Sequence, residues 1–327
     1  MKGVAIIGII LMWNGVRAQD LEFSQYFNAP VYTNSAFAGV TDGPRFVLNY
    51  RNEWASLGNA YLSYAAAYDQ DFEAIGGGIG AMVVSDRQAS GLYVTNSFTG
   101  VYAYEINLSH YYTIRASAQV GLVQHRISTD ELVFAENINP DNGTVISTGS
   151  SDMPDQPNKT FADFGAGFLW YSQKFFFGFS AKHLTSPNES MLSSQSSPLP
   201  IRWSGNLGWE FRSDPRKPSL VYFTPNFLFV QQAKFKQLTG GAILGVSLLY
   251  GGIYYRTTFT NGDAVILQVG LKRGVFKMGY SYDATVSQLK GNSGGTHELA
   301  LVLNFNESKK IQSKRHSKTY SKCPEIF

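Results

Sequence analysis

Five histidines, at positions 110, 125, 183, 297 and 316, are the residues of this chain best suited to metal or acid–base chemistry. None falls into HExxH or another paired ligand spacing. Cys323 is the only cysteine, which excludes an internal disulfide, a CxxC redox pair and cysteine-based metal centres. His125 and His183 sit near the ends of expected strands among many serines, the raw material of a hydrolase at a barrel rim. No GxSxG or similar motif marks a nucleophile, so no enzymatic activity is expected and no catalytic, cofactor or metal residue is assigned. The glycine-rich run GGGIG at 76–80 imitates a phosphate cradle. It lies in an expected strand with no helix to supply a dipole, so close packing in a wall is the expected use. What remains is charge. Arg51, Glu53, Glu105, Arg115, Asp163, Asp283 and Glu298 are expected to share one interior, where they pack or hydrate it, hold an N-terminal segment or line a path for cargo.

The elements that must position those charges are strands. Successive side chains of a strand point to opposite faces. In the last hairpin, Phe276, Met278, Tyr280 and Tyr282 alternate with Lys277, Gly279, Ser281 and Asp283, and Leu299, Leu301, Leu303 and Phe305 alternate with Glu298, Ala300, Val302 and Asn304. The same division recurs upstream. Phe46, Leu48 and Tyr50 oppose Arg45, Asn49, Arg51 and Glu53. Ile114, Ala116, Ala118, Val120 and Leu122 oppose Arg115, Gln119 and His125. Phe164, Ala166, Phe168 and Trp170 oppose Asp163. His183 falls in register with Phe175, Phe177 and Phe179, so it is expected at a strand end near the membrane interface, outside the lumen.

With 14% aromatic residues, only 16% charged residues and 32 glycines, this patterning is that of an all-β, transmembrane antiparallel β-barrel of about 14 strands, its apolar face to lipid and its polar face to a lumen. Loop lengths agree. Long connections at 127–160, 185–199 and 285–295 are the fifth, seventh and thirteenth, all on one side, while Ser172–Lys174 and Tyr250–Gly251 are expected as tight turns on the other. Outer-membrane barrels have short periplasmic turns and longer outer loops. Residues 1–18 have a basic start, an apolar run and Ala18 at a cleavable spacing, which is the pattern of a signal peptide. Residues 19–43 are expected as an ordered segment at or in the barrel mouth, 44–306 as the barrel, and 307–327 as a flexible basic tail. Residues 19–306 hold 19 basic and 22 acidic residues, so the tail alone makes the chain basic and a nucleic-acid role has no folded basic face behind it.

An ordered set of short motifs resembles the PorP/SprF family of type IX secretion outer-membrane proteins of Bacteroidetes. It comprises Gln19-Asp20, Phe23-Ser24-Gln25-Tyr26, Pro30, Asn34-Ser35-Ala36 with Ala38-Gly39, and Arg51-x-x-Trp54. Further on come Tyr102-Ala103-Tyr104, Gly178-x-Ser180-x-x-His183-Leu184, Gly279-Tyr280-Ser281-Tyr282-Asp283 and Gly295-x-His297-Glu298. Where the family has Asn-Pro-Ala, this chain has Asn34-Ser35-Ala36. The resemblance implies a non-enzymatic outer-membrane barrel without cofactor. An SprF-like member partners a secreted surface adhesin through its type B C-terminal domain and serves gliding motility. A PorP-like member is a core part linked to the periplasmic ring and a peptidoglycan-binding lipoprotein. On strand count alone, a porin or a FadL-like transporter of hydrophobic solutes is the other reading.

Overall fold

The computed structural model describes residues 20–41, 43–58, 61–128, 137–139, 141–145, 154–213, 221–259, 261–286, 294–305 and 323–324. The expected signal peptide and most of the basic tail lie outside the described residues. The fold is a closed antiparallel barrel of fourteen strands in which each strand pairs with its neighbours in sequence and the last pairs with the first. They are β1 (Arg45–Glu53), β2 (Tyr61–Phe72), β3 (Gly77–Gln88), β4 (Tyr93–Asn107), β5 (Thr113–Ile127), β6 (Asn158–Tyr171) and β7 (Phe175–Lys182). Then come β8 (Arg202–Trp209, resuming as Phe211–Arg212), β9 (Val221–Gln232), β10 (Phe235–Val246), β11 (Leu249–Thr257), β12 (Gly262–Arg273), β13 (Phe276–Thr285) and β14 (Thr296–Asn304). The break in β8 falls beside Pro225 of β9, which has no N–H to give the ladder. Among the described residues no helix is long and apolar enough to cross a membrane; the strands do so.

The alternation seen in sequence is the alternation in space. Leu122 is 59% exposed and Phe98 56%, whereas Arg45 and Arg115 are fully buried on the inner face. Only lipid makes an outer wall of Phe, Leu, Tyr and Trp stable at such exposure. Tyr112, Trp170, Phe175, Trp209, Phe211 and Phe223 form a chain of ring contacts around the outside near the short-turn end, for example Trp170 on Phe175 at 4.9 Å and Phe175 on Trp209 at 5.4 Å. Rings of this kind favour headgroup depth and fix the barrel's height in the bilayer.

One expected turn is displaced. Tyr250 and Gly251 lie inside β11, and the turn is at Ser247–Leu248, with Ser247 in the left-handed region at φ 57°. The tyrosine is needed in the wall, because its hydroxyl reaches Asn28 of the N-terminal segment at 3.3 Å.

That segment fills the lumen. Every residue from Phe23 to Gly39 is buried, in three short turns at Tyr26–Asn28, Pro30–Thr33 and Ser35–Phe37. The last is capped by Asn34, whose Oδ1 accepts the N–H of Ala36 at 2.9 Å, so a side chain fixes the bend that the family's proline would set. The segment leaves the lumen past β3 at very close range. A Cβ on Gly78 would fall on the carbonyl oxygen of Ala38 and 2.6 Å from Cα of Gly39, which itself has φ +71°. The expected wall packing is thus packing of wall on plug. Gly78→Ala should cost about 1–3 kcal/mol, seen as a lower urea midpoint of refolded barrel. A midpoint equal to the parent's would show that the two backbones can part freely.

Candidate functional site: a plugged lumen beneath a crown of loops

The plug runs the height of the barrel and is tied at three levels. At the long-loop end Asp20, Glu22 and Leu21 meet β7, β8 and β9. Asp20 Oδ2 is 2.7 Å from Nε2 of His183, whose Nδ1 is 2.9 Å from Oδ1 of Asp163. Arg202 bonds Glu22 and the carbonyl oxygen of Leu21, and the ammonium of Lys182 lies 3.8 Å over the ring of Tyr32. His183 was expected outside the lumen, and this is corrected. Its φ of 59° breaks the alternation just after β7, where Leu184 N–H still bonds the carbonyl oxygen of Phe164, and the ring is turned inward. Both ring nitrogens face carboxylates, so neither is free for a serine hydroxyl. His125 has Thr95 at Nδ1, 2.9 Å away, while its Nε2 is buried with no hydrogen-bond partner among the described residues.

Below this, Ser24 and Gln25 are gripped by the charges of β1, β11, β13 and β14. The carboxylate of Glu298 accepts the backbone N–H groups of Ser24 and Gln25 at 2.8 and 2.9 Å. Ser24 Oγ donates to Asp283 at 2.5 Å and accepts from Arg51 at 2.8 Å and Arg256 at 3.1 Å. Arg51 also pairs with Glu53, Asp283 and Glu298, and Arg256 with Asp263 and Asp283. Gly279 leaves the space that Gln25 and Asn28 occupy, while Tyr280 and Tyr282 point outward, Tyr280 bonding His297 Nδ1 at 2.8 Å. Tyr26 then bonds Asn226, and Ser35 Oγ meets Ser117 Oγ at 2.8 Å.

At the short-turn end Arg45 and Asp69 form a fully buried bidentate pair at 2.9 and 3.0 Å. Asp69 accepts the N–H of Gly39 at 2.7 Å, and Arg45 and Arg115 donate to the carbonyl oxygens of Phe37 and Ala38 at 3.1 and 2.6 Å. Arg115 is paired with Glu105.

The seven lumen charges therefore do face inward, but they form three clusters: Arg51, Glu53, Asp283 and Glu298; Glu105 with Arg115; and Asp163 with His183. Of the motif residues, Phe23, Gln25, Tyr26 and Pro30 are plug, and Trp54 is in the first long-loop-end connection, its ring 5.0 Å from Tyr61. Arg45 was placed on the polar face of its strand but not among the candidate charges, and Asp69, Arg202 and Arg256 were not singled out. Their signal was an ionisable residue in phase with the small, inward residues of its strand.

Above the plug, two long connections are joined. Gln156 N–H donates to the carbonyl oxygen of Met191 at 3.1 Å, Ser193 N–H to Asp155 at 2.9 Å, and His125 lies 3.7 Å from Glu189.

The latch at Asp20 has a pH signature. Burial pushes His183 towards the neutral form, but the charges of Asp20 and Asp163 and their hydrogen bonds outweigh it and raise its pKa from 6.5 to about 9. Burial likewise opposes the Asp20 carboxylate, and His183, Arg202 and Lys182 nevertheless hold it well below the usual range. A raised histidine pKa stabilises fully below the unfolded value of about 6.5 and ceases to do so as pH rises through about 9. His183→Gln should therefore unfold more easily than the parent at pH 6, by on the order of 2 kcal/mol, and the two should converge by pH 9 to 10. Urea midpoints across that range test it, and a constant difference would reject the latch.

A closed sheet with an apolar exterior around a buried, hydrogen-bonded plug defines a membrane β-barrel of the outer-membrane class. A family profile described as type IX secretion system membrane protein PorP/SprF matches residues 16–303, and the chain belongs to that family. No curated protein matches it. Among solved structures it is similar to Acinetobacter baumannii outer membrane protein Omp33, at 9% identity over 82% of this chain and 100% of that one, TM-score 0.44. It is also similar to the KdgM porin in complex with disordered oligogalacturonate, at 9% identity over 80% and 99%, TM-score 0.37, and to a mutant Rh. blastica porin, at 7% over 80% and 98%, TM-score 0.35.

Proposed function

We propose that this barrel is a non-enzymatic, SprF-like partner of one secreted surface adhesin. It binds the adhesin's type B C-terminal domain at the crown of long loops and retains it at the cell surface for gliding motility. The observation that carries this reading is the filled lumen. With Phe23–Gly39 buried across it and tied at both ends, the barrel serves as a rigid mount, and binding surfaces on such mounts gather in loops. The joined connections around Asp155, Met191 and Ser193 offer that surface. A filled lumen also argues against an open porin.

The test is a mild-detergent pull-down of the tagged protein from its native outer membrane, identified by mass spectrometry. One abundant large surface protein with a C-terminal sorting domain is expected. Recovery of periplasmic ring subunits and a peptidoglycan-binding lipoprotein in its place would make the protein a PorP-like core part. Recovery of neither, together with solute leakage from liposomes carrying it, would restore the porin reading.

A further inference from the structure

One part of the outer wall carries side chains that lipid tails alone do not explain. On β3, β4, β5 and β6 the register lays the outward residues side by side. Val83, Phe98, Leu122 and Ala162 form one such row. One step nearer the long-loop end lie Ser85, Asn96, Gln124 and Thr160, and one step further Arg87, Val94, Arg126 and Asn158. The face thus passes from apolar to amide and hydroxyl to guanidinium within four residues of each strand. Leu122, Gln124 and Arg126 are all exposed on β5, as are Val83 and Arg87 on β3.

Depth follows from strand geometry. Four residues at about 3.3 Å each, in strands tilted by about 40°, lift the arginines roughly 10 Å above Val83 and Leu122. With the apolar row among the upper acyl chains, that is the level of the headgroups, and arginine stems can lie back along the wall towards them. Only Val94 separates Arg87 from Arg126, so their backbones are two strand spacings apart, about 10 Å. Two arginine side chains can span that gap around one phosphate. Neither arginine makes an ion pair or hydrogen bond among the described residues, and neither polar row includes a carboxylate. The neighbouring Asp86 is in phase with the buried Met82 and Val84, and Ser63 and Gln88 bond it there.

We propose that this patch is a binding site for the phosphorylated headgroup of an outer-leaflet lipid. Arg87 and Arg126 clamp the phosphate from either side of Val94, through the paired N–H groups that suit a guanidinium to that anion. Asn96, Gln124 and Thr160 bond oxygens of the headgroup, and the acyl chains lie over Phe98 and Leu122. Charge and position both select lipid as the occupant. A soluble phosphate would gain the two arginines and nothing from the apolar row beneath them.

Full-length protein in detergent is titrated with diphosphoryl lipid A, and the lipid-bound fraction is read by native mass spectrometry. Arg87→Gln combined with Arg126→Gln should weaken binding by about tenfold or more. Both side chains are exposed, so the double variant folds as the parent does. Lys236 is an outward cation at the same end of β10, almost opposite around the barrel, and Lys236→Gln should bind as the parent does. Equal affinity of parent and double variant would overturn the site. An equal loss in Lys236→Gln would overturn it too, since the attraction would then belong to the whole rim. Inorganic phosphate at the same phosphate concentration should leave the lipid bound; displacement of the lipid would make this a site for the free anion and overturn the lipid assignment.

Discussion

Glu298→Ala should unseat the plug and lower the barrel's stability by about 3–5 kcal/mol, because it removes one partner from a buried charge network. The side chain of Glu298 is fully buried, and its two oxygens take the N–H groups of Ser24 and Gln25 and a guanidinium N–H of Arg51. Its loss leaves two backbone donors without water or partner, each costing about 1–3 kcal/mol. It also leaves Arg51 with less counter-charge where solvent cannot screen it. Glu298→Gln keeps the shape and one acceptor oxygen and should fall between parent and alanine variant. Urea midpoints, with limited proteolysis of residues 20–30 as the readout of plug release, decide it. An alanine variant with the parent's midpoint and a protected N-terminal segment would mean that the plug is held by its apolar contacts alone.

Arg45→Met should also cost about 3–5 kcal/mol, since it strands the Asp69 carboxylate in a site with no exposure. Arg45→Met combined with Asp69→Leu should cost less than that single change. The double variant has no lone charge to bury, and what it loses is the acceptor of Gly39 N–H and the donor to Phe37. The four proteins form a cycle, with unfolding measured on each. Additive single costs would show that the two side chains act independently despite their bidentate contact.

These contacts show which parts of the molecule could be read from its residues. The two faces of β1, β5, β6 and the final hairpin were legible, because lipid and lumen impose a period of two and a one-residue slip would expose Arg51 or Asp283 to hydrocarbon. Which of the inward charges meets which was not legible, since it depends on register around the whole circumference. The turn expected at Tyr250-Gly251 lies at Ser247–Leu248 because Tyr250-Gly251 is an equally good turn by composition, and contacts distant in sequence, of Tyr250 with Asn28 and with the carbonyl oxygen of Met278, hold it in the wall. His183 was misread because alternation assumes an extended backbone, which ends at its left-handed φ. The path of residues 20–41 had no periodic signal at all. A chain that packs on every side, as Phe23–Gly39 does, leaves no polar face to mark its direction.

The seam between the first and last strands has a consequence for assembly. Arg51 of β1 and Glu298 of β14 are opposite one another across that seam, and both hold Ser24. Glu298 belongs to the last strand synthesised, while Ser24 precedes the first strand. Closing the cylinder and docking the plug are thus the same event, and the sheet must wrap around a segment already in place. A closed barrel awaiting its plug would keep Arg51, Glu298 and Asp283 in a lumen arranged around a missing chain. Any passage opened through this lumen would require the first and last strands to loosen their shared grip.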